Sequence, residues 1–180
     1  HNTGVGYEAL TQNTTGTQNT AIGSQALDAN TTAGNLTAVG YNALSANTTG
    51  TENTGIGRQA LLTNTTGNYN VALGVNALYQ NTTASNNTAC GNSALAANTT
   101  GDSNTAVGAN ALDANTSASN NTAVGYAALS AVTTTSHNTG VGHSALALNT
   151  SGANNAAFGS LSLDANTTGS ENTGCGRSSL

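Results

Sequence analysis

The chain has 180 residues, 5% of them charged and 3% aromatic, with two basic residues, seven acidic ones and a formal net charge of −5. Nucleic-acid binding is excluded, because phosphate needs a basic stripe, and so is a membrane-spanning helix, because no run of about 18 apolar residues occurs. Disorder is disfavoured too: disordered chains are usually charged and proline-rich, whereas this one has no proline and keeps strict apolar positions.

The first predicted element is a short strand carrying Thr3, Gly4 and Val5, followed by Gly6, a turn through Ala9 and Leu10, and a corner at Asn13 and Thr14. Seventeen residues later the same elements return, and they continue to the end of the chain without insertion or deletion. The second glycine marks the phase: Gly6, Gly23, Gly40, Gly57, Gly74, Gly91, Gly108, Gly125, Gly142, Gly159 and Gly176. Self-similarity at a fixed short period is the signature of a stacked solenoid. A helical reading fails because glycine recurs in every copy, Thr and Asn dominate and no 3.6-residue period is present. The expected fold is therefore an all-β parallel solenoid, a β-roll or β-helix with one coil per 17 residues, forming a single array over residues 1–180 of about 10.5 repeats. The array opens inside a repeat at His1 and stops inside another at Leu180, so it is expected to be a window of a longer fibre.

Two columns are predicted to form the core. One is Val5, Ile22, Val39, Ile56, Leu73, Cys90, Val107, Val124, Val141, Phe158 and Cys175. The other is leucine throughout: Leu10, Leu27, Leu44, Leu61, Leu78, Leu95, Leu112, Leu129, Leu146, Leu163 and Leu180. Strand alternation puts Thr3 on the same side as Val5. The Gly4 column holds only Gly or Ala and is expected on the opposite, outer face, where three parallel chains would pack closely. On that reading Ala106→Phe weakens association more than it disturbs a lone coil. Asn2 and Asn13 recur with single exceptions at Leu36 and Val132, which predicts hydrogen-bonded amide ladders between stacked coils at corners.

The phrase N-T-A-V-G-x-x-A-L, present as NTAIGSQAL, NTGIGRQAL, NTAVGANAL and NTAVGYAAL, resembles the head repeats of trimeric autotransporter adhesins and the repeat arrays of phage tail-fibre-like proteins. The resemblance runs the full length. It implies a parallel β-roll, a homotrimer or filament of identical chains, and a rigid fibre that is extracellular, on the cell surface or a virion appendage. The adhesin head unit is usually somewhat shorter, and the additional residues around Asn13 and Thr14 would enlarge one corner.

No residue set forms an active site, and no catalytic, cofactor-binding or metal-ligating residue is assigned; the chain is not expected to be an enzyme. GVGYEA, GIGRQA and GVGHSA match a dinucleotide fingerprint but lack the strand and helix that motif requires, so they are repeat texture. Only one hexapeptide per coil fits the acyltransferase β-helix pattern. Asp28, Asp113 and Asp164 share a column but lie roughly 24 and 14 Å apart along the stack, too far to pair. His137 and His143 fall in one coil without a third ligand and are read as surface. Cys90 and Cys175, five coils apart, are read as small buried hydrophobes beyond disulfide reach. NTT or NTS sequons at Asn13, Asn30, Asn47, Asn64, Asn81, Asn98, Asn115, Asn149 and Asn166 are candidate glycosylation sites, with further sequons at Asn35, Asn86 and Asn120.

Two functions are consistent with this pattern. One is a structural fibre or spacer giving length and stiffness for attachment. The alternative is a solenoid that binds a cell surface or glycan, including ice, which the regular hydroxyl columns of Thr14 and Thr15 suggest.

Overall fold

The computed structural model describes residues 1–180 and contains eleven strands of three residues each. They are β1 (Thr3–Val5), β2 (Thr20–Ile22), β3 (Thr37–Val39), β4 (Thr54–Ile56), β5 (Val71–Leu73), β6 (Thr88–Cys90), β7 (Thr105–Val107), β8 (Thr122–Val124), β9 (Thr139–Val141), β10 (Ala156–Phe158) and β11 (Thr173–Cys175). They form one sheet in sequence order. Pairing is parallel with a constant register of 17 residues, as in Thr37↔Thr54 and Val39↔Ile56. The chain is thus an all-β parallel solenoid with 17-residue coils. Of 113 backbone–backbone hydrogen bonds only 20 lie within strands, so most of the stack is held by turns bonding to turns. The Leu95 N–H, for example, donates to the Ala111 carbonyl at 3.0 Å.

The core is not where the strand alternation was expected to put it. The Gly4 column points inward: Ala21, Ala38, Ala72, Ala89, Ala106, Ala123 and Ala157 are fully buried. They pack with the Ala9 column and with Leu27, Leu44, Leu61, Leu78, Leu95, Leu112, Leu129 and Leu146, all likewise fully buried. The Val5 column points outward with Thr3. Val5, Ile22, Ile56, Val107 and Phe158 are exposed, while Val39, Leu73, Cys90, Val124 and Val141 are half-buried and Cys175 is exposed. Thr3 and Val5 do share a face, but it is the outer one. At the two ends of the leucine column, Leu10 is partly buried and Leu180 is exposed.

The physical reason is the width of the coil. A Cβ added at Gly140 would already lie 3.1 Å from the Ala145 carbonyl oxygen and 3.2 Å from Leu129 Cγ, so a methyl fits with nothing to spare. The leucine of the preceding coil fills the space that a Val-sized strand residue would need. The small residues are therefore explained by the chain's own interior, and they offer no face to a sister chain. Ala106→Phe would break the coil itself.

Left-handed backbone sets three further columns. Leu10 and its equivalents hold φ between 50° and 62°, and the Glu8 and Gln18 columns take similar values. Outside glycine this conformation costs roughly 1–2 kcal/mol per residue, and β-branched residues resist it most. None of these three columns contains Val, Ile or Thr, although Thr abounds elsewhere. Gly91 and its column sit at φ near +137°, for Gly91 itself +144°, and a Cβ there would come within 2.5 Å of the Gly108 carbonyl oxygen. Glycine is required by both the dihedral and the next coil.

Two amide ladders run through the interior. In the Asn13 column, Asn98 Nδ2 donates to Asn81 Oδ1 at 3.0 Å and to the Gly101 carbonyl at 3.0 Å, and its Oδ1 accepts from Asn115 Nδ2 at 2.9 Å. In the Asn2 column, the Asn104 N–H donates to Asn87 Oδ1 at 2.9 Å, while Asn104 Nδ2 donates to the Ala118 carbonyl at 2.8 Å. Nearly all of these amides are fully buried, so the coil has a polar half-core satisfied by its own repeat. Val132 interrupts the first ladder, and Asn115 Oδ1 there accepts the Ala118 N–H at 3.2 Å instead.

The geometry predicts that Leu95→Ala destabilises the chain by about 2–5 kcal/mol. Val107→Ala, at a position 37% exposed, costs far less in the isolated chain; denaturant unfolding of both variants measures the difference. Asn98→Val, which imitates Val132, should be milder than Asn98→Asp. The carboxylate would face Asn81 Oδ1 and the Gly101 carbonyl with no donor to offer, at a cost of several kcal/mol. A thermal melt ranking Asp above Val would contradict this account of the ladder.

Candidate functional sites on the outer surface

The outer surface carries two features beyond the repeat. The first is the sheet face formed by the Thr3 and Val5 columns. Side chains two apart on each strand stand on the same side, so the face consists of two parallel ladders, one hydroxyl-bearing and one apolar. No charged residue occurs in either column. Cys90 and Cys175 belong to the apolar ladder and are free thiols; Cys90 is half-buried and Cys175 exposed, so neither is the buried hydrophobe expected.

The second feature is an open groove of about 490 Å³ crossing four coils. Arg58 and Gln59 lie at one end, Asn110 and Asp113 at the other, with Asn76, Tyr79 and Gln80 along the wall and Ser93, Ala96 and Ala97 in the gap. Tyr79 and Asp113 occupy the same column two coils apart, roughly 10 Å along the stack. Ala96 between them is small, and the gap opens there for that reason. Arg58 Nη1 donates to Gln59 Oε1 at 3.1 Å. Asn76 Oδ1 and Asp113 Oδ1 are buried and accept no hydrogen bond; Asn42 Oδ1 and Asp28 Oδ1, in the same columns, share that state. Burial pushes the Asp113 carboxyl above its ordinary value, against the opposing pull of the Asp113 and Ala114 backbone N–H groups. Burial raises Asp28 likewise.

The candidate glycosylation column is largely inaccessible. Asn30, Asn47, Asn64, Asn81, Asn98, Asn115 and Asn149 are fully buried, and each Nδ2 that would carry a sugar already donates to the carbonyl three residues ahead. A glycan on any of them is incompatible with the folded coil. Asn13 and Asn166, near the ends of the stack, are half-buried and make the same bond. The sequon residues Asn35, Asn86 and Asn120 are exposed. The Thr14 hydroxyls are committed as well: Thr14 Oγ1 donates to the Thr31 carbonyl at 2.9 Å, and the bond recurs along the column, as in Thr99 to Thr116. The Thr15 column is exposed.

His137 and His143 fall on opposite sides of strand β9, and His143 stacks on Tyr126 with ring centroids 5.4 Å apart. No group of three or more His, Cys, Asp or Glu side chains is placed to hold a metal ion. The groove was missed in the sequence. Its signal is a tyrosine and an aspartate 34 residues apart, flanking an alanine at the midpoint of that interval. No family model, curated protein or solved structure matches the chain.

Asp113 yields a prediction with a definite sign. A raised folded-state value means the fold prefers the protonated acid, so its penalty is absent below the unfolded value of about 3.9 and grows as pH rises through the raised value. Asp113→Asn should therefore raise the melting temperature at pH 7 and leave it unchanged below about pH 3. Calorimetry at the two pH values is the measurement, and a variant less stable at pH 7 would refute the assignment.

Proposed function

We propose that the chain is a structural fibre or spacer, assembled side by side with identical parallel chains as a homotrimer or filament, and serving attachment outside a cell or on a virion. The observation that carries this reading is the uninterrupted register: one sheet of eleven strands, every neighbour offset by 17 residues, with buried amides bonding coil to coil. Such a stack resists bending and extension because each coil is bonded to two others along its whole path. It spends its side chains on stacking and leaves a repetitive exterior with few charges.

The Thr and Val ladders supply the contact between chains. A row of exposed Val, Ile and Phe side chains, interspersed with half-buried ones along one flat face, is apolar surface that a sister chain would cover. At roughly 4.8 Å per coil and about 10 Å across, the face offers on the order of 500 Å² per chain. A standard specific interface uses about 800 Å² per partner. Association should therefore strengthen with coil number. Light scattering on this chain and on a chain lengthened by a second copy of residues 11–180 after Leu180, which keeps the 17-residue phase, tests it: the lengthened chain should self-associate at lower concentration, and two chains that stay monomeric at every concentration would reject the assembled fibre.

A second reading, recognition of a saccharide, is favoured by the groove. The Tyr79 ring offers a flat apolar surface, and Arg58 and Gln80 at the groove offer N–H donors to sugar hydroxyls. Calorimetric titration with simple sugars and oligosaccharides, repeated on Tyr79→Ala, tests it.

A further inference from the structure

The two arginines, Arg58 and Arg177, stand in one column, immediately after the glycine that ends each strand. Each is preceded six residues earlier by a glutamate, in TENTGIGR and SENTGCGR, so Glu52 and Glu171 also share a column. Strand β4 lies between Glu52 and Arg58, and strand β11 between Glu171 and Arg177. The Thr/Val face is thus bordered by an acidic position on one rim and a basic position on the other, at the same two heights. All four side chains are exposed. Six extended residues span up to roughly 20 Å, so the two charges of a coil stand apart across the width of the face. Adjacent coils offer Glu52 only Asn35 and Tyr69, and offer Arg58 only Tyr41 and Val75.

We infer that these rims are a register code for a second copy of this chain: Glu52 and Glu171 of one chain meet Arg58 and Arg177 of the next, fixing sister chains parallel and level. The inference rests on the fibre reading above and adds the level alignment of the chains that reading leaves open. Rotation about an axis parallel to the stack, with the Thr/Val faces turned inward, brings the start rim of one chain against the end rim of its neighbour at equal height. Both charge pairs then form at each contact. Turning one chain upside down sets like rims together, so Glu52 and Glu171 no longer meet the arginine column. A slip of one coil places Glu52 opposite Tyr41 or Val75.

A repeat interface needs such a device. Every coil presents the same Thr and Val pattern, so a slip of one coil sacrifices little apolar contact beyond the overhanging end. Exposed ion pairs contribute little affinity, but complementary charges fix register and suppress wrong alignments. Two pairs seven coils apart suffice, because every one-coil slip loses both.

The test uses the full chain with Cys90→Val and Cys175→Val, residues already common in that column. Adding Glu52→Cys with Arg58→Cys and treating with a short bis-maleimide should link chains at least tenfold more efficiently than the one-coil-displaced pair Glu52→Cys with Tyr41→Cys. Peptide mapping should find position 52 joined to position 58. Separately, Glu52→Arg with Glu171→Arg should weaken self-association measured by light scattering at least tenfold, and adding Arg58→Glu with Arg177→Glu should restore it. The restoration distinguishes charge pairing from misfolding. An oligomer that links 52 to 52, links the displaced pair equally well, or ignores the charge reversal overturns the register code while leaving the fibre reading standing. A chain that remains monomeric and unlinked overturns both.

Discussion

The rest of the structure depends on the constant 17-residue offset between neighbours, which places every backbone and amide group opposite its own counterpart one coil away. Because the counterpart is identical, a hydrogen bond that suits one coil suits all of them. The buried Asn ladders exploit this most fully. Each amide has a donor and an acceptor, and the column passes both along. An insertion of a single residue would misalign both ladders at once and leave buried amides unpaired. That is a physical reason for the absence of any insertion over eleven copies.

A coil this small cannot rely on apolar burial in the ordinary way. Its interior holds two alanine columns, one leucine column and two asparagine columns. Ordering seventeen residues against so thin a core is unfavourable on apolar area alone, since each residue loses roughly 1–2 kcal/mol of backbone entropy. Hydrogen bonding between coils supplies cohesion that apolar packing does not. The strained leucine column follows from the same economy of space: a left-handed turn lets one leucine per coil reach the interior from a short segment.

The exterior follows from what the interior refuses. Val-sized strand residues find no room inside and stand outward with Thr, which leaves a flat uncharged face with apolar side chains open to solvent. The columns either side of that face hold Glu52, Glu171 and both arginines. Elsewhere a few large or charged substitutions, such as Tyr79 and Asp113, sit half-buried on turns, and there the surface departs from repetition. Stability is thus written in the near-invariant inward columns, while the outward columns vary in size and charge.

The sequence by itself determined the repeat, the parallel stacking, the leucine ladder and the amide ladders, because each rests on periodicity and on groups that must pair with their own copies. It also determined that Thr3 and Val5 share a face. Which face that was, only the tertiary structure decided. Strand alternation has two solutions related by turning the strand over, and hydrophobicity favoured the one with Val inside. The width of the coil favoured the other, since the leucine arriving from the turn leaves space for a methyl and no more. One column pattern pointed that way: positions 4, 21 and their equivalents never exceed alanine, whereas positions 5, 22 and theirs range from Cys to Phe, the tolerance of an outer surface. The buried state of the sequon asparagines was hidden for a related reason, because a polar residue is read as exposed until its partners are known. The groove and the two charged rims arise from residues 34 or six apart that only the coil brings into spatial relation.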